Sequence, residues 1–127
     1  VLNGKVWDDT VYTIFNAGID IHMPHGRGFT LIPVHKNIHI PYRSLVPKGV
    51  EKLIVAGRCV SATHEALGTM RGQHRVMGLG QAAGVAAAIS IQENSSFREV
   101  AIKKIQDELR NQDVNFGIEE RKYAHKR

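Results

Sequence analysis

The spacing of apolar positions changes several times along the chain, and each change predicts an element. Leu53-Ile54-Val55-Ala56 is four apolar residues in a row, closed by Gly57, and predicts a fully buried strand. Ile19-Asp20-Ile21-His22-Met23 alternates, which predicts a strand with Asp20 and His22 on one face. Phe29 to Val34 predicts a second strand. Ile38 to Val46 is an extended stretch in which Pro41 marks an edge or a bulge. Val11, Ile14 and Phe15 have helical spacing after Asp8-Asp9-Thr10, with Gly18 as a stop and Trp7 as a staple or core anchor. Small residues dominate Gly78 to Ile89, where Gly80, Gly84 and Ala88 predict a helix with one nearly flat face. Val100, Ile102, Ile105 and Leu109 form the stripe of an amphipathic helix, capped by Ser95 or Ser96, with Glu99 at capping-box spacing. Met23 to Gly28 and Pro47 to Val50 carry turn signals. Cys59 to Ala66 reads as a polar loop, and Met70-Arg71-Gly72-Gln73-His74-Arg75 is basic without apolar period. The tail from Glu119 to Arg127 is charged and expected to be mobile.

Composition narrows the function classes. At 127 residues the chain is one domain's worth at most, and 43% hydrophobic residues suffice for a core. A net charge of +5 suits an anionic ligand, although the charge is spread along the chain. The single cysteine, Cys59, excludes an internal disulfide and fits a reducing compartment. No apolar run is long enough to span a membrane, and Val1-Leu2-Asn3-Gly4-Lys5 lacks the features of a signal peptide, so a cytoplasmic location is expected. The absence of an initial Met is expected of a processed product or of a piece of a longer chain. Aromatic residues are 6% of the chain with no stacking platform, which argues against nucleic acid as a partner. The closest histidine pairs, His22 with His25 and His35 with His39, lack further ligands, so no metal site is expected.

The candidate chemistry clusters after the Leu53 strand. Ligands of open α/β sheets sit beyond the carboxyl ends of strands. There, Gly57 lets a ligand approach the backbone and Arg58 donates to oxygens. A helix beginning among the glycines, at Gly80-Gln81-Ala82, would turn free N–H groups and a positive dipole end toward negative charge. The plainer reading is helix-to-sheet packing alone. His64 and Glu65 either touch a ligand or brace their loop. Arg43 either holds a substrate carboxylate bidentately or forms an ion pair.

These residues carry a resemblance. LIVAGRCVSATHEALGTMRGQHRVMGLGQAAG, from Leu53 to Gly84, resembles the last flavin-contacting segment of a family of FAD-dependent oxidoreductases with the glutathione-reductase-like fold. IPYRSLVPKGVEKL, from Ile40 to Leu53, and Ile19-Asp20-Ile21-His22 are similar to the same family, so the likeness runs from about Trp7 to Gln112. It implies an α/β fold: the strand-plus-helix end of an incomplete, Rossmann-like FAD-binding domain, preceded by short strands of a substrate-domain sheet. Residues 1–50 would belong to that substrate or cap region, 51–112 to the FAD-binding domain and 113–127 to a charged tail. The activity implied is hydride transfer to FAD. The resemblance makes His64 and Arg71 catalytic candidates. It places Gly57, Arg58, Ser61, Thr63, Glu65, Gly80, Gln81, Ala82 and Ala83 on the cofactor, and His22, Tyr42 and Arg43 on a small-molecule substrate. The run Gly72-Gln73-His74-Arg75 is more basic than the family pattern.

A dinucleotide-binding domain opens with a strand, then Gly-x-Gly-x-x-Gly, then a helix. Gly78-Leu79-Gly80 with Gly84 is only superficially like this, because no strand directly precedes it. The expected partner is therefore a preceding portion of the same enzyme that grips the pyrophosphate. The chain alone is expected to bind FAD weakly and to associate with itself through unpaired strand edges. The competing reading is a truncated, non-catalytic module that binds no flavin by itself and acts in self-association or as a structural piece.

Overall fold

The computed structural model describes residues 3–23, 25–26 and 28–118. Pro24 and Arg27 of the predicted turn, and the tail from residue 119, lie outside the described residues. The first third of the chain is β-structure and the last half is helical. β1 (Thr10–Ile14) pairs antiparallel with β4 (Ile38–Pro41), and β2 (Gly18–His22) pairs antiparallel with β3 (Phe29–Pro33). A 3-10 turn over Tyr42–Ser44 leads into irregular chain with turns and bends, followed by α1 (His64–Met70), α2 (Gln73–Glu93) and α3 (Ile102–Asn111).

The first correction concerns residues 10–14, which form a strand where helical spacing predicts a helix. Thr10, Val11, Thr13 and Ile14 are all buried, so the strand is covered on both faces and shows no alternation. Val-Tyr-Thr-Ile is a run of β-branched and aromatic residues, which fits a pleated surface better than a helix. The pairing of β1 with β4 is irregular between Thr10 and Tyr12, opposite Pro41 and Ile40. Pro41 thus stands at a bulge, as its sequence context predicts.

A second correction concerns Leu53–Ala56. These residues carry no regular secondary structure and belong to neither sheet, and Leu53 is 44% exposed. Their backbone is tied to the sheets' surroundings by Val55 N–H donating to the Leu45 carbonyl at 2.8 Å. Four apolar residues dictate an extended, apolar segment, but a strand also needs a neighbour for its ladder. The observed architecture among the described residues is thus mixed α and β, with three helices and two small antiparallel sheets, which is compatible with part of an FAD-binding domain.

One core joins both halves. Val11, Ile14, Ile19, Ile38 and Ile40 from the strands meet Leu79, Ala82 and Ala86 of α2 and Ile105 and Leu109 of α3. The fully buried Leu79, Ile105 and Leu109 each contribute about 1.5–3 kcal/mol by leaving water. Gly78 shows why α2 can lie so close to β1: a Cβ there would overlap the ring of Tyr12. Gln106 of α3 donates to the carbonyls of Asp8 and Thr10 at 2.9 and 3.0 Å, fixing the start of β1.

The third helix begins later than its cap signal predicts. Glu99 accepts from the amide and hydroxyl of Ser96 at 3.0 and 2.9 Å, so the box does form. It closes a single turn over residues 97–99, and α3 starts at Ile102 with Ala101 in the cap position. No helix among the described residues is long and apolar enough to cross a membrane.

Candidate functional site

The site is built where β2 meets the corner between α1 and α2. Thr63, the cap residue of α1, accepts from the Ala66 amide at 3.4 Å. The helix is short and packs against β2, and Gly68 permits the approach: a Cβ there would stand 2.9 Å from the Asp20 carbonyl oxygen. Arg71 ends α1, Gly72 turns the chain, and Gln73 opens α2.

This start of α2 overturns an expectation. Gly80-Gln81-Ala82 are not a helix N-terminus. They lie in the third turn, where N–H groups are consumed by intrahelical bonds. The positive dipole end and the free N–H groups sit instead at residues 72–74, since the Arg75 amide already donates to the Gly72 carbonyl at 3.0 Å. No side chain caps that end and no acidic residue occupies its first turn.

Around this helix end opens a cleft of about 400 Å³, lined by Gly18, Asp20, His22, Arg58, Arg71 and His74, with Leu31, Gly68, Gly72 and Arg75 completing it. Three guanidinium groups face one carboxylate. Arg71 Nη2 donates to Asp20 Oδ2 at 2.7 Å, and His22 Nε2 lies 3.4 Å from Asp20 Oδ1 without forming a hydrogen bond. The Arg71–Asp20 pair is about 40% exposed on both sides, so solvent screening limits it to roughly 0.2–1 kcal/mol. It positions Arg71 more than it stabilises the fold. Arg58 Nε donates to the Arg71 carbonyl at 2.9 Å, and Arg75 donates to the Thr69 carbonyl. These bonds leave each guanidinium with further donors, because the group carries five. The arrangement can hold a planar or oxygen-rich anionic group against the helix end.

Of the residues singled out from sequence, the cleft brings together His22, Arg58 and Arg71. Gly57, beside Arg58, has φ +98° and open space where a Cβ would stand, and its carbonyl accepts from the Val60 amide. His64 and Glu65 are exposed, and they belong to the first turn of α1 where a loop was expected. His64 and Arg71 stand at opposite ends of that helix, roughly 10 Å apart along its axis. The Glu65 carboxyl is held below its ordinary range by its own backbone amide first and the Thr63 hydroxyl second. Ser61 is exposed beside Val60, with its amide donating to the Ser44 carbonyl at 3.2 Å.

The helical glycines and alanines divide. Gly80 and Gln81 face outward, and Gln81 bonds Gln112 at 3.0 Å. Ala82 and Ala83 are buried against the core. The flat face of Gly80, Gly84 and Ala88 is uncovered among the described residues rather than packed on a strand.

Tyr42 is a core residue. Its ring is 4% exposed, its hydroxyl donates to the Phe97 carbonyl at 2.9 Å, and burial pushes its pKa up to about 12. Arg43 turns to Asp9, which accepts from its guanidinium and, at 3.1 Å, from its amide, and it stacks on Trp7 at 4.5 Å. Neither side chain borders the cleft, so the substrate trio His22, Tyr42 and Arg43 is separated. Asp20, Gly68, His74 and Arg75 are among the cleft residues that sequence reasoning left without a role. The alternation that pairs Asp20 with His22, and the basic run ending at Arg75, were the available signals.

Among the described residues no three His, Cys, Asp or Glu side chains group as a metal site would require. Compared with known proteins, residues 1–109 match the model of a family described as FAD dependent oxidoreductase. No curated protein and no solved structure matches the chain.

Proposed function

Since the chain belongs to the FAD-dependent oxidoreductase family, whose full-length members bind FAD, we propose that its cleft holds the electron-rich edge of the isoalloxazine ring in an enzyme that moves a hydride onto that ring. The single observation that carries the reading is the convergence of Arg58, Arg71 and Arg75 on the acid-free start of α2. FAD supplies the redox chemistry when bound, and the protein's part is placement and electrostatics.

The donor set fits one portion of that cofactor. Arg58 and Arg71 donate to ring oxygens, the α2 terminus favours charge that develops there, and Gly57 gives a ligand backbone access. Asp20 keeps Arg71 in place and lies within ionic reach of His22, which leaves the imidazole a candidate for a substrate proton. Nothing among the described residues has the strand, Gly-x-Gly-x-x-Gly and helix that cradle a pyrophosphate. We assign that grip to another portion of the same glutathione-reductase-like enzyme, with residues 1–50 on the substrate side and 51–112 on the flavin side.

FAD titrations followed by flavin fluorescence test the reading. Arg71→Gln and Arg58→Gln should each weaken FAD binding by about tenfold, the ratio expected when a charge-assisted hydrogen bond becomes a neutral one. Unchanged affinity in both variants would remove the cleft from the flavin site.

A further inference from the structure

A second cavity lies on the other side of α1. It is a slot of about 160 Å³ between β4, residues 61–62 and α1, walled by Trp7, Ile38, Ile40, Ala66 and Met70. Ala66 and Met70 are one helical turn apart and share a face of α1. Gly68 and the arginines of the cleft do not border the slot, so it is separate from the proposed flavin contact.

Lys5 is the one Lys, Arg, Asp or Glu in the lining of the slot, with His39, Ser44 and Ser61 as further polar groups. Lys5 stands at the slot with Nζ 3.9 Å from the centre of the Trp7 ring, and no described carboxylate pairs with it. The neighbouring cation, Arg43, is by contrast committed to Asp9. No acidic residue lines the slot. Ser61 adds a hydroxyl that has no partner among the described residues. An apolar cavity of about 150 Å³ accommodates a benzene ring. The slot therefore matches an apolar body of that size, with one negative head group directed to the Lys5 ammonium, which has no described carboxylate partner, and to the Ser61 hydroxyl.

We propose that this slot binds a small monocarboxylate whose apolar body is about the size of a benzene ring, with Lys5 and Ser61 holding the carboxylate. The inference goes beyond the flavin reading and does not depend on it, because the slot can be tested without FAD.

Benzoate, benzamide and benzamidine have nearly one shape and differ in charge, and Trp7 is the only tryptophan of the chain, so its fluorescence reports on the slot wall. In titrations of the purified protein, benzoate should bind about tenfold tighter than benzamide, and benzamidine more weakly than either. Lys5→Gln should bring benzoate to the level of benzamide. Ala62→Leu, a change in an exposed residue at the slot, should weaken both benzoate and benzamide without altering the far-UV circular dichroism. The proposal is overturned by any of three results: no Trp7 response to millimolar benzoate, equal affinity for benzoate and benzamidine, or a Lys5→Gln variant that binds benzoate unchanged.

Discussion

His39 shows how one side chain can couple stability to pH. It is 8% exposed on β4, with Nδ1 3.0 Å from Thr13 Oγ1. Thr13 spends its only hydroxyl proton on the Phe116 carbonyl, at 2.8 Å, so His39 Nδ1 must be the donor and the neutral ring carries its proton there. The bonds tie β1, β4 and the segment after α3 together. Burial lowers the His39 pKa below its ordinary 6.5. Above that value the ring is neutral whether the chain is folded or unfolded. Below it the unfolded chain takes up a proton that the native ring resists, so stability falls from about pH 6.5 downward to the native pKa. Urea midpoints at about pH 7.5 and about pH 5.5 should therefore separate more for the wild type than for His39→Gln. Parallel shifts would show that His39 does not carry this pH dependence. None of this was legible in the sequence. His39 stood out there only as a weak metal candidate, because its partners Thr13 and Phe116 are remote in the chain.

Among the helices, the glycines of α2 are the most informative. Gly78, Gly80 and Gly84 look equivalent in sequence, yet only Gly78 meets a neighbour, the Tyr12 ring. Gly78→Ala should destabilise the fold by about 1–3 kcal/mol, because the ring must move. Gly80→Ala and Gly84→Ala place their methyl groups in open space and should each stabilise by about 0.5–1 kcal/mol through helix propensity. Thermal unfolding of the three variants would check this, and a stable Gly78→Ala would mean that α2 does not lie against β1. The sequence pattern placed β2, β3, the bulge at Pro41 and the core stripe of α3 well, because each has a clear period or breaker. It failed at β1, where burial on both faces erased the alternation. It also failed at α1 and at the start of α2. α1 does carry a start signal in Thr63 and Glu65, but at seven residues it is too short to show an apolar period, while Gly72 caps α2 without a side-chain bond ahead of the polar turn Gln73-His74-Arg75.

Over the whole molecule, the strands and helices share one core, while two surfaces are left open among the described residues. One is β3, whose five residues are all exposed, with Phe29 at 65% and Leu31 at 60%. The other is the outer side of α2, from Met77 at 73% to Ile91 at 80%. Both are apolar surfaces of the kind that other chain segments cover. The candidate site was half legible. Arg58 and Arg71 were singled out from one segment and a resemblance, and His22 from the resemblance alone, whereas Arg75 and the true helix end depended on where α2 begins. The proposed flavin contact rests on where α2 begins, at Gln73, which puts Gly80–Ala82 inside the helix and makes residues 71–75 the proposed anion contact. Amide NMR spectra of the isotopically labelled protein, recorded during titration with FAD, address this most directly. The largest shift changes should fall on Arg58 and on Arg71 through Arg75. Changes centred on Gly80, Gln81 and Ala82, with residues 71–75 silent, would contradict it.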